Sequence, residues 1–190
     1  MFELKYTTPK AWAEVVIQDF DAFLVDHAAA EKKASGMAMS MISHYPDRKN
    51  LVRAMTDLAI EELIHFKQVV KLIQSRDSKL GADQKDPYIN ELRTLFRRGS
   101  DLFFLDRLVI AGVIEARGCE RFSLVADALP EGKDKDFYMS IAKSEAKHKN
   151  LFIDLALEYF AADEVYQRLE QVLNFEAKLC EKLPFRAALH

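Results

Sequence analysis

The chain is short of residues that bend a backbone. Its 190 residues include 6 glycines and 5 prolines. A β-protein of this length needs many more turns, so the scarcity points to a few long helices. Cysteine is scarce too. Cys119 and Cys180 lie far apart and lack the spacing of a thiolate metal site. That excludes a disulfide-stapled fold and fits a reduced, cytoplasmic protein. No window approaches the run of about 20 apolar residues that crosses a bilayer. The opening stretch MFELKYTTPKAW has no apolar signal-peptide core. A soluble protein with no membrane partner is expected. Charge of one sign is also missing: a net charge of −3 excludes a chain that is basic throughout.

What is present is apolar and charged in the proportions of amphipathic helices, 49% and 30%. Thr8-Pro9 starts a short helix to about Gln18, with proline at its first position. Asp19 or Asp21 caps a second helix over 21–44. Pro46-Asp47 ends it and caps a third over 47–75. A polar, turn-rich stretch leads to Pro87, and an amphipathic helix follows over 88–98. Gly99-Ser100-Asp101 stops that helix and caps the next, which runs to about Leu129. Pro130-Glu131-Gly132 turns the chain into a helix over 134–160, and Asp163 caps a last one to about Leu183.

Four of these helices are long, and their connections are short, then long, then short. Short loops make antiparallel neighbours, and one long crossover is the connection of ferritin-like bundles. The expected fold is all-α: a ferritin-like four-helix bundle with additional short N-terminal, crossover and C-terminal helices, in a single domain over 1–190.

An internal repeat carries the chemistry. The second long helix contains Glu62-Leu63-Ile64-His65 and the fourth contains Glu145-Ala146-Lys147-His148, both Glu-x-x-His. One such motif is weak. Here each pair interrupts an apolar stripe at the same place: Met55, Leu58, Glu62, His65, Val69, Leu72 in one helix and Tyr138, Ile141, Glu145, His148, Phe152, Leu155 in the other. The remaining long helices add one acid each. Glu31 lies on the stripe Phe20, Leu24, His27, Glu31, Ala34, Ala38, Met41, and Glu115 on Phe104, Leu108, Ala111, Glu115, Gly118, Phe122, Val125. Buried carboxylates need compensation. One Glu from each of two helices and Glu-x-x-His from each of the others is the ligand set of di-iron and di-manganese carboxylate bundles. Glu62 and Glu145 are expected to bridge two metal ions, with Glu31 and Glu115 terminal. Oxygen and imidazole donors without thiolate favour iron or manganese over structural zinc.

Other residues have plainer explanations. His27, one turn before Glu31, fits a hydrogen-bonded core histidine or a partner of a ligand better than a ligand itself. Met37, Met39, Met41 and Met55 fit packing. Ala111, Gly112 and Gly118 around Glu115 serve either close helix packing or room for a substrate. Eight basic residues between Lys67 and Arg98 face four acids, while 154–181 holds seven acids and two bases.

Spacing does not choose among oxygen activation, iron oxidation and peroxide scavenging. Resemblance does. His27-Ala28-Ala29-Ala30-Glu31-Lys32-Lys33-Ala34-Ser35, the stretch from Asp86 through Arg121 (with Arg97-Arg98-Gly99-Ser100-Asp101 and Ile114-Glu115-Ala116-Arg117-Gly118-Cys119-Glu120-Arg121) and Ser144-Glu145-Ala146-Lys147-His148 resemble the tRNA 2-methylthio-N6-isopentenyladenosine hydroxylases of the MiaE type. The resemblance covers nearly the whole chain and departs at none of the six ligands. It implies two iron ions held by Glu31, Glu62, His65, Glu115, Glu145 and His148, with O2 as co-substrate. It implies tRNA as substrate, with oxygen inserted into the isopentenyl group of an adenosine beside the anticodon. No flavin or nicotinamide loop is present, so electrons are expected from another protein. Phosphate contacts fall to the basic stretch, Arg93, Arg97 and Arg98 above all. The short appended helices fit a monomer or dimer better than a storage shell.

Overall fold

The structure, a computed structural model, describes residues 2–190. Its regular elements are all helices: α1 (Lys10–Gln18), α2 (Phe20–His44), α3 (Lys49–Ser75), α4 (Pro87–Arg93), α5 (Ser100–Ala128), α6 (Lys133–Tyr159) and α7 (Ala162–Lys182). Four of them exceed 24 residues, as the sparse turn signals predict.

Two compact units emerge. One comprises Val15–Gln84 with Ala187–Leu189. The other comprises the described residues up to Glu14, Lys85–Arg186 and His190.

The first unit is built on the hairpin of α2 and α3. Asp19 caps α2 by accepting from the Ala22 N–H at 3.2 Å. The turn after α2 closes with a bond from the Arg48 N–H to the Tyr45 carbonyl. The residue capping α3 is Arg48, with no side-chain bond. Asp47 therefore does not fill the expected role, because the turn places Arg48 at the boundary. Beyond α3 the chain is strapped along α2. Lys32 Nζ donates to Asp83 at 2.8 Å, Arg76 Nε donates to Asp21 at 2.7 Å, and Gly81 lies where a Cβ would touch Val25 at 3.4 Å.

The second unit is built on the hairpin of α5 and α6, with α4 and α7 packed against it. Asp86 caps α4 by accepting from the Ile89 N–H, with Pro87 at the first helical position. This helix is shorter than the expected 88–98. After Arg93 the bonds tighten to i→i+3 (Thr94 to Glu91, Leu95 to Leu92, Phe96 to Arg93). The next N–H, that of Arg97, leaves the helix for the Asp106 carboxylate at 2.7 Å. A long-range acceptor thus ends the helix that local pattern would have continued. Gly99, with φ at 104°, then makes the turn into α5 in a conformation L side chains avoid. Ala161 rather than Asp163 stands at the cap of α7, and Asp163 lies in its first turn, where a negative charge favours the helix dipole.

A buried guanidinium organises this unit. Arg117 is fully buried. It donates from Nε and a terminal nitrogen to the two oxygens of Glu176, at 2.7 and 3.0 Å, and to the Thr8 hydroxyl, the Tyr6 carbonyl and Glu120. Glu176 also accepts from Tyr88 and Cys180. Bidentate geometry and a full set of partners are what make a buried ion pair tolerable. The C-terminal His190 stacks on Tyr88 at 4.6 Å and pairs with Asp86 at 3.1 Å.

Candidate metal centre

Each unit carries one triad of potential metal ligands. In the first, α2 supplies Glu31 and α3 supplies Glu62 and His65. The i, i+3 spacing sets both α3 groups on one face. One ligand atom from each of the three lies within 4.8 Å of the others. His65 Nδ1 is 3.5 Å from Glu62 Oε2 and 3.7 Å from Glu31 Oε2. The side chains are 4%, 1% and 6% exposed.

In the second unit, α5 supplies Glu115 and α6 supplies Glu145 and His148. Their ligand atoms again lie within 4.8 Å of one another, and His148 Nδ1 is 3.0 Å from Glu145 Oε2. Exposures are 9%, 3% and 4%. The helix hairpins hold these levels in the same way. Ser35 Oγ donates across to the Ala59 carbonyl at 2.9 Å, and Cys119 Sγ to the Ala142 carbonyl at 3.4 Å. Gly112 lets α5 and α6 approach closely: a Cβ there would meet the Lys149 carbonyl oxygen at 3.3 Å. Its smallness serves packing, whereas a Cβ at Gly118 would make only an ordinary contact with Phe122 at 3.8 Å.

The halves differ one turn before the first carboxylate. His27 is fully buried, and its Nε2 lies 2.5 Å from Glu31 Oε1. Facing an acceptor-only carboxylate, that nitrogen is the donor. The matching position before Glu115 is Ala111, which has nothing to donate. His27 is thus a partner of a candidate ligand, as a lone inward histidine suggests.

The donor set fits a divalent cation. Each triad gathers two carboxylates and an imidazole away from water, so like charges crowd where they are poorly screened. A cation relieves that crowding, and oxygen plus imidazole donors with no thiolate suit iron or manganese.

The basic residues fare differently. Arg93 is exposed at the end of α4, and Arg98 is exposed. Arg97 is committed: Nε and one terminal nitrogen donate to Asp106, which is fully buried and also accepts from Arg168 Nε at 2.6 Å. Sequence reasoning missed Asp106, Arg168, Arg117 and Glu176. Charged residues on helices read as solvated, and only an odd break in surface patterning, such as Asp106 between Leu105 and Leu108, hinted otherwise.

The family model for tRNA-(MS2IO6A)-hydroxylase (MiaE) matches residues 2–190. The chain belongs to the MiaE family of tRNA hydroxylases. Two MiaE relatives bear the name tRNA 2-(methylsulfanyl)-N(6)-isopentenyladenosine(37) hydroxylase. The protein of Pseudomonas putida is 35% identical over 174 residues, covering 92% of this chain and 84% of its own. That of Salmonella typhimurium is 30% identical over 184 residues, covering 92% and 67%. A solved structure, Protein 43 with aldehyde deformylating oxygenase activity from Synechococcus, superposes with a TM-score of 0.94 at 32% identity, over all of this chain and 96% of that one. The chain has the all-α, ferritin-like fold its helix pattern predicts. No helix among the described residues is long and apolar enough to cross a membrane.

Proposed function

We propose that the chain is a di-iron monooxygenase that hydroxylates the isopentenyl group of 2-methylthio-N6-isopentenyladenosine in tRNA, next to the anticodon. The observation that carries this reading is the pair of buried Glu and Glu-x-x-His triads in a member of the MiaE family. Glu31, Glu62, His65, Glu115, Glu145 and His148 would together hold two iron ions, within a single working domain. Iron, when bound, supplies the oxygen activation that amino acids lack.

The chain's own residues bind and shield. Six ligand side chains no more than 9% exposed keep bulk water from the centre. His27 holds Glu31 through its Nε2 proton, which fixes one terminal carboxylate in place. The apolar stripes bordering the ligands (Leu108 and Ala111 on α5, Phe152 on α6) suit a prenyl group better than a polar substrate. The target base has to leave its stack to reach groups this buried. Electrons come from a separate protein, the enzyme works as a monomer or dimer, and a tRNA substrate puts it in the cytoplasm.

Product analysis tests the proposal. Protein loaded with ferrous iron is given O2, a reductant and tRNA bearing the isopentenylated adenosine, and the digested nucleosides are weighed. Gain of one oxygen atom, abolished in Glu62→Ala and Glu145→Ala, is the expected result. Oxidation of iron with no change in nucleoside mass would sink the hydroxylase reading in favour of an iron-oxidising or peroxide-consuming protein.

A further inference from the structure

The connection from α4 into α5 borders a shallow, open surface cavity of about 440 Å³, lined by Phe96, Arg97, Arg98, Gly99, Ser100 and Phe103. Its lining combines two chemistries. Phe96 and Phe103 are half-buried, with ring centroids 5.2 Å apart and planes tilted by 58°. The Arg107 guanidinium sits 5.9 Å from the Phe103 centroid. Around the rings the charge is positive. Arg98 is exposed, and Arg97 keeps 35% of its side chain exposed while Asp106 holds its guanidinium. Asp106 is shared with Arg168, so one carboxylate faces two guanidiniums and a positive charge is left over. Asp101, exposed in the first turn of α5, is the acid nearby on the same helix.

Aromatic faces beside arginines are how proteins hold unstacked nucleotides: the ring takes the base and the cation takes the phosphate. We propose that this cavity is an RNA subsite that stacks one loop nucleotide on Phe103 and pairs its phosphate with Arg98. The inference rests on the tRNA reading above. Phe103 precedes Glu115 by twelve residues of α5, roughly 18 Å along the helix axis at 1.5 Å per residue. A stacked strand covers that in about five nucleotides at 3.4 Å each, and an unstacked one in fewer. The nucleotide held here lies several positions along the strand from the target adenosine and is not the adenosine itself. Arg97 is a positioning residue: its bonds to Asp106 fix the cavity wall between Phe96 and Arg98.

Binding of a fluorescently labelled, unmodified anticodon stem-loop RNA to the metal-loaded protein tests the subsite apart from catalysis. Arg98→Ala and Phe103→Leu each weaken binding roughly tenfold, in line with losing one phosphate contact or one stacked base. Arg98→Ala also lowers the slope of log affinity against log salt by about 1, whereas Phe103→Leu leaves that slope unchanged. Lys178→Glu, an exposed charge reversal on α7, is the control for general electrostatics. Arg98 is exposed, so its variant reads binding even if Phe103→Leu loses stability. If both variants bind as tightly as the parent chain, or no more weakly than Lys178→Glu, the subsite is overturned and the tRNA reading stands. If the parent chain itself fails to bind the RNA, the subsite is overturned, and the product analysis above decides the tRNA reading separately.

Discussion

Cys119 does in the second helix pair what Ser35 does in the first. Each stands one turn beyond a candidate ligand (Glu115 or Glu31). Each donates to the carbonyl three residues before the glutamate of the facing Glu-x-x-His motif, Ala142 or Ala59. The internal repeat therefore extends from the ligands to the bond that sets the level at which the two helices of each pair meet.

That level is sensitive to the spacing of α5 and α6. Gly112→Ala is expected to destabilise the protein by about 1 kcal/mol despite the better helix propensity of alanine. The new Cβ meets the backbone of Lys149, next to His148, so metal content should fall too. In Gly118→Ala the new Cβ makes only an ordinary van der Waals contact with the Phe122 ring, and the variant should gain up to about 1 kcal/mol. Denaturant unfolding and metal analysis of the two variants check the contrast, and equal behaviour would contradict the packing role of Gly112.

The His27–Glu31 bond has no counterpart at Ala111, so the two candidate iron positions should be unequal. His27→Gln keeps a donor and should retain most metal. His27→Ala should weaken binding at the Glu31 position by about 10–100-fold, the usual effect of losing a partner of a ligand. Chelator competition with Fe(II) should then show two steps where the parent chain shows nearly one.

Removing a buried carboxylate should have opposite effects with and without metal. In the metal-free protein Glu62→Gln relieves like-charge crowding and should raise the melting temperature. Adding Fe(II) should raise that of the parent chain, because a ligand that binds only the folded state stabilises it, and should leave the variant nearly unmoved. A variant that melts lower without metal would contradict the crowding.

Alkaline pH should unfold the protein from about pH 9 upward. Burial, reinforced by the neighbouring Glu176 carboxylate, pushes the Cys180 thiol up to about 12, and burial holds the Tyr88 phenol well above its ordinary value. The unfolded chain gives up these protons first, so the stabilisation is complete below pH 9 and is lost as pH rises toward 12. At the acid end Asp86, drawn down to about 2 by its bonds to His190 and the Ile89 N–H, contributes stability that fades between about pH 4 and 2. Melting temperatures across both ranges check the signs, and Cys180→Ala should flatten part of the alkaline limb.

Arg117→Met should cost about 3–5 kcal/mol, because it leaves the Glu176 carboxylate buried with its cation gone. Pairing it with Glu176→Leu should restore much of the loss. Midpoints of denaturant unfolding give both values, and strict additivity would argue against coupling.

The burial of Glu31, Glu62, His65, Glu115, Glu145 and His148 was legible, because helical periodicity alone puts all six on apolar stripes. The stripe of α3 drifts at its end, where Ile73 is buried in place of Leu72, because 3.6 residues per turn do not divide a heptad evenly. The end of α4 was not legible: the acceptor that draws Arg97 away, Asp106, lies nine residues on. Nor was the inward role of Glu176, which counted among the acids of a solvated C-terminal segment and is fully buried beneath Arg117.

The grip of Arg117 on Tyr6 and Thr8 has a practical corollary. A gene trimmed to begin at α1 would delete two acceptors of a guanidinium that water cannot reach. Of the residues ahead of the first helix, Thr8 is buried and Tyr6 half-buried, and both are tied to the core through that guanidinium. Affinity tags belong in front of them and never in their place.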